Sequence, residues 1–147
     1  MKKLLIYYSY TGNGEVVSIK MQEKGYDLRK VETIKGLPKN FFFAMMSGGF
    51  QAGIKKKAKL NEFDYDISQY DEVVIASPIW NDRFTPAINT ILANICLEGK
   101  KLSFVFYSGS GEGKHALKRV NKEYPNAKCV FLKQPKDYPE ELNKLDF

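Results

Sequence analysis

Val73-Val74-Ile75-Ala76-Ser77 carries no polar residue in alternation with its apolar ones. A strand of that kind buries both faces, which is the environment of a parallel sheet covered by helices on two sides. Parallel strands need long crossovers, and the rest of the chain supplies them. Lys2 to Tyr8 is a short apolar strand, Leu102 to Tyr107 and Ala127 to Leu132 are two more, and Tyr26 to Ile34, with Asp27, Arg29, Lys30 and Glu32, suits an exposed edge. Helical spacing falls between them: Val16 with Ile19 and Val17 with Met21, then Ile88, Ile91, Leu92 and Ile95 behind a Thr85-Pro86 cap, then Leu117, Val120 and Tyr124 before Pro125. Gly25 and Gly99 stand where two of these helices should end. Gly36 to Leu60 reads as a crossover helix interrupted at Gly48-Gly49, and Leu142 and Leu145 mark a short helical tail.

Alternating strands and helices with right-handed crossovers predict an α/β three-layer sandwich, one domain over residues 1–147, around a five-stranded parallel sheet in the order 2-1-3-4-5. That order makes the charged second strand an edge. It also opens a crevice beyond the carboxyl ends of the first and third strands, where the two connections leave in opposite directions.

The three loops richest in Gly, Ser, Thr and aromatic residues follow the first, third and fourth strands, so all of them open at that crevice. The first is Tyr7-Tyr8-Ser9-Tyr10-Thr11-Gly12-Asn13-Gly14. Backbone N–H groups at a helix N-terminus, with the hydroxyls of Ser9 and Thr11, form an anion cradle. Other phosphate loops fit poorly. Gly48 to Gly53 has the Walker gap but is followed by Ile54, Gly113-Lys114 has Ser108 where the first glycine belongs, and Gly12-Asn13-Gly14 is followed by Val17 where a dinucleotide fingerprint needs a small residue.

Ser9 to Asn13, the turn Ser77-Pro78-Ile79-Trp80 followed by Phe84-Thr85-Pro86, and Tyr107-Ser108-Gly109-Ser110-Gly111 together resemble the three FMN-contacting segments of the flavodoxin family. With Phe50-Gln51-Ala52 and Tyr70-Asp71, the similarity spans residues 2 to about 132. The resemblance implies FMN as cofactor. Ser9, Thr11, Gly12, Asn13 and Gly14 would hold its phosphate, with Tyr10 contributing through its backbone. Trp80 would lie against the isoalloxazine, with Pro78 and Phe84 beside it, backbone groups of Ile79, Asn81 and Asp82 would meet its polar edge, and Ser108, Gly109, Ser110 and Gly111 would wrap the pyrimidine end. Phe84 and Tyr107 would wall a space for a second planar substrate. Gly14 departs from the family in replacing a hydroxyl residue, and Asn81 stands where many relatives have glycine. No catalytic side chain is implied. The expected role is electron transfer or a small flavin-dependent reductase, with a redox protein or small acceptor as partner; a cofactor-free interaction module on the same fold is the alternative.

Two cysteines 33 positions apart and a single histidine argue against a metal site and against Cys-His or Ser-His catalysis; Cys96 and Cys129, both in apolar runs, read as small buried hydrophobes. No apolar run approaches the roughly 20 residues that span a bilayer, and the expected location is the cytoplasm. The net charge of +6 and Lys55, Lys56, Lys57 and Lys59 admit a nucleic-acid partner, but no aromatic residues interleave those lysines, so a solvated helix end is the expectation. A short last helix leaves one sheet face thinly covered, as in a homodimer.

Overall fold

The structure, a computed structural model, describes residues 1–33 and 60–147. The interrupted crossover helix and its lysines fall outside the described residues, save for Leu60, which bridges Thr33.

The first strand, β1 (Lys3–Tyr8), leads into α1 (Asn13–Glu23), and β2 (Asp27–Val31) follows. Then come β3 (Glu72–Trp80), a two-residue β4 (Arg83–Phe84), α2 (Pro86–Asn94), β5 (Lys101–Ser108), α3 (Lys114–Glu123), β6 (Lys128–Lys133) and a 3₁₀ helix, Pro139–Lys144. The sheet runs β2-β1-β3-β5-β6, with those strands parallel throughout and β4 antiparallel to the end of β3. The five long strands therefore have the expected order, and charged β2 is the edge.

Strand alternation divides the core between two faces. Leu4, Ile6, Val73, Ile75, Phe104 and Phe106 pack under Ala87, Ile88 and Ile91 of α2 and Ala116 and Val120 of α3. Leu5, Tyr7, Val74, Ala76, Val105 and Tyr107 pack on the other face with Val17 and Met21 of α1 and with Leu145. Helices thus cover both faces, and the tail expected to be helical is a single 3₁₀ segment.

Two boundaries and one burial differ from expectation. β3 continues through Pro78 to Trp80 where a loop was expected, because its register with β1 ends at Tyr7↔Ala76. Beyond that point β3 has lost its β1 neighbour, and a proline is tolerated in such a position. The helix opened by Thr85, whose Oγ1 accepts from the Ile88 amide at 3.4 Å, stops at Asn94 instead of near Gly99. There the Asn94 side chain donates back to the Thr90 carbonyl at 2.7 Å, and Ile95 is already extended. Cys96, in the connection that results, is exposed rather than buried.

Candidate functional site

Four loops meet at the carboxyl ends of the strands. The first begins as β1 gives way to Ser9. Gly12, the N-cap of α1, has φ +99° and offers no side chain to cap the helix. The loop is held from within: the Gly14 amide donates to Ser9 Oγ at 3.1 Å, Ser9 Oγ donates to the Glu15 carboxylate, and Asn13 Nδ2 donates to Thr11 Oγ1 at 3.4 Å. Ser9 is therefore the pivot of the turn. Burial works to raise the Glu15 pKa, but the hydrogen bonds from Ser9 and Lys30 outweigh it and hold the carboxyl below its usual value. The Lys30 ammonium stands 2.9 Å from Glu15 Oε1.

Gly14 is required by close approach. A Cβ there would come within 2.5 Å of Ser9 Cβ and 2.8 Å of the Tyr107 hydroxyl. Neither neighbour can yield cheaply, because Tyr107 is 2% exposed and its hydroxyl donates to the Tyr8 carbonyl. Burial, first, and then the charge of Glu15 push the Tyr107 phenol well above its ordinary range, so it stays a neutral donor. The hydroxyl residue that the flavodoxin resemblance leads one to expect is thus excluded at position 14 by a tyrosine arriving from β5.

The second loop is a two-residue hairpin between β3 and β4. Asn81 (φ 50°) and Asp82 (φ 60°) both take the left-handed conformation that a tight hairpin turn demands, and Trp80 faces Arg83 across it. Trp80 is half-buried and contacts Tyr8 (centroids 5.8 Å apart, planes at 73°) and Tyr10 (6.1 Å, 85°) edge to face, so neither tyrosine is stacked on it. The Tyr10 side chain thereby links the first loop to the second. Asp82 reaches α3, whose own N-cap, Gly113, has no capping side chain. Asp82 Oδ2 accepts from the His115 amide at 3.0 Å and sits 2.8 Å from His115 Nδ1, a carboxylate at the positive end of a helix. Its other oxygen is buried and has no partner.

In the third loop, Ser108 Oγ accepts from the Gly111 amide at 2.9 Å and donates to the Glu112 carbonyl at 3.1 Å, closing a compact turn with Gly111 at φ +75°. Between this loop and the hairpin lies a cavity of about 270 Å³, lined by Ile79, Asp82, Ser108, Ser110, Glu112, Gly113 and Lys114.

The fourth loop, after β6, was not anticipated. The Gln134 amide donates to the Ser108 carbonyl at 3.1 Å, the Lys136 amide to Asn13 Oδ1 at 3.0 Å, and Lys136 Nζ to the Thr11 carbonyl at 3.3 Å. It ties the first loop to the third and lays an ammonium against Gly12. The available signal was topological: in a parallel sheet every strand-to-helix loop opens on the same edge.

Of the expected site residues, Ser9 to Gly14, Ile79 to Asp82 and Ser108 to Gly111 all lie on these loops. Pro78 is half-buried within β3. Phe84 is 4% exposed and packs among Phe104 and Phe106, and like fully covered Tyr107 it does not line the 270 Å³ cavity. No group of His, Cys, Asp and Glu able to hold a metal occurs among the described residues. Burial pushes the Cys129 thiol up to about 12, which makes it a poor nucleophile at neutral pH. No helix among the described residues is long and apolar enough to cross a membrane.

No family model and no curated protein sequence matches the chain. Solved structures do. A candidate flavoprotein from Bacteroides eggerthii DSM 20697 matches with a TM-score of 0.74 at 25% identity over 99% of this chain and 96% of that one. A flavoprotein from Lactobacillus acidophilus NCFM, crystallised in complex with FMN, matches at 0.65 and 18% over 95% and 97%. A flavodoxin from the domain Archaea matches at 0.52 and 12% over 98% and 93%. The fold is flavodoxin-like. In the terms of that fold, the loops after β1, β3 and β5 flank the switch point at which β1 and β3 lie side by side, with crossovers leaving to opposite faces.

Proposed function

We propose that this protein binds FMN at the carboxyl ends of β1, β3 and β5 and acts as a flavodoxin-like redox protein. The observation that carries the reading is the convergence, at one switch point, of a glycine-opened helix N-terminus, a half-buried tryptophan and a serine-glycine turn. The likeness to a flavoprotein crystallised with FMN supports it.

The donor set suits a phosphate ester. The first turn of α1 has no side-chain cap, Thr11 adds a hydroxyl and Lys136 a cation, while Lys30 offsets the nearby Glu15 carboxylate. Trp80 supplies a flat apolar ring, and the left-handed turn at Asn81-Asp82 turns peptide groups toward the hairpin's end. Flavin supplies the electron chemistry. The chain's residues bind it, orient it and exclude water, and a redox role requires no acid or base from them. The partner is a redox protein or a small electron acceptor.

Absorption and fluorescence titration of the purified protein with FMN tests the reading, with Trp80→Ala in parallel. Binding at micromolar or tighter concentration, weakened about tenfold by the substitution, is expected. A folded protein that takes up no FMN at about 1 mM would refute it and leave a cofactor-free interaction module on this fold.

A further inference from the structure

We infer that the groove between β4 and α3 is a second anion site, distinct from the α1 cradle, and that it takes a phosphorylated nucleotide. The groove encloses about 340 Å³, within the range of small-molecule sites, and lies over the buried side chains of Phe84 and Ala116.

Its walls are cationic. Lys118 and Lys122 lie four residues apart on one face of α3, beside His115, and Arg83 stands opposite on β4. Neither Arg83 nor Lys118 nor Lys122 meets a carboxylate among the described residues, and Arg83 Nε is buried without an acceptor. The groove's acidic residue, Glu123, is already held by Arg119 at 2.9 Å. Like charges four residues apart on a helix repel unless a counter-ion lies between them. The surplus is also local. Residues 34–59 hold six of the 23 basic residues and none of the 17 acidic ones, so the remainder of the chain is neutral, and a face with three unpaired cations stands out against it.

The wall is preorganised. The Arg119 guanidinium lies 4.1 Å over the Phe84 ring and donates to Asn89 Oδ1 at 2.7 Å, so a planar cation is fixed before any ligand arrives. A free phosphate would use the cations alone. A ligand with a planar or aliphatic body would also pack on the Arg119 guanidinium and on the aliphatic stems of Lys118 and Lys122, which favours a nucleotide. The hydrogen-bonded Asp82 and His115 separate this groove from the 270 Å³ cavity, so its occupant would sit beside the redox site proposed above. The groove itself does not depend on that reading.

Titration of ¹⁵N-labelled protein with ADP as probe, followed by amide shifts with and without saturating FMN, tests the assignment. Shifts centred on Arg83, His115 and Lys118 are expected in both samples, with affinity falling at least about tenfold in Lys118→Glu/Lys122→Glu, whose side chains are exposed, and falling with added salt. Arg83→Gln should weaken binding as well. Shifts confined to Gly12–Gly14, no shift at about 5 mM ADP, affinity unchanged in both variants, or identical shifts from inorganic phosphate at the same concentration would each overturn it.

Discussion

The two ends of the sheet are built differently. At the amino ends of the strands most buried polar groups are answered, with Ser103 Oγ the exception. Glu72, whose side chain is 4% exposed, accepts from the Tyr26 hydroxyl and stands 3.6 Å from Lys101 Nζ. Tyr70 donates to Asp27 at 2.8 Å, Lys100 caps the Tyr70 carbonyl at 2.6 Å, and Arg29 bonds the carbonyls of Asp64 and Asp66. At the carboxyl ends, Asp82 Oδ1 and Arg83 Nε lack partners, and Gly12, Asn81, Asp82 and Gly111 take left-handed conformations. A buried polar atom without a partner costs roughly 1–3 kcal/mol. Two such atoms fall together in the Asn81-Asp82 hairpin, where two successive non-glycine residues are also left-handed, and that concentration marks the carboxyl end as the one that meets ligands.

Substitutions at the two ends should separate stability from binding. The largest effect is expected for Gly14→Thr at the carboxyl end. Its Cβ overlaps Ser9 and the anchored Tyr107 hydroxyl, so we expect about 3 kcal/mol of destabilisation in urea unfolding together with loss of FMN binding. Retention of both would show that the first loop rearranges freely. Tyr26→Phe at the amino end removes the neutral donor to buried Glu72. It should cost about 2 kcal/mol in the same assay and leave the FMN affinity of the folded protein within about twofold; a larger change in affinity would mean that the ends are not independent. The smallest effect is Lys136→Gln. With Nζ exposed beside the cradle, its loss should weaken FMN about threefold at low salt, less at high salt, and leave riboflavin binding unchanged. An equal loss for riboflavin would assign Lys136 to loop geometry rather than to the phosphate.

Much of this was legible without coordinates, for particular reasons. Val73 to Ala76 has no alternation because both faces of β3 are buried, and the charges of β2 belong on an edge because an edge is wet. Thr85-Pro86 opened a helix where local chemistry said it would. The hairpin at Asn81-Asp82 reads as a plain loop because a proline at position 78 predicts the end of a strand, and only the loss of the β1 neighbour beyond Ala76 makes room for that proline. Lys136 was missed because its relation to Asn13 spans 123 residues.

The sequence by itself determined the order of strands and helices, the faces they bury and the loops that gather at one edge. Those follow from periodicity, propensity and the handedness of crossovers, all of which act over short stretches of chain. Tertiary structure alone decided why position 14 must be glycine, which loop closes over the cradle, and that Arg83 faces the cations of α3. Each of these rests on side chains arriving from another strand, and close packing and unpaired charge are properties of that meeting rather than of either segment.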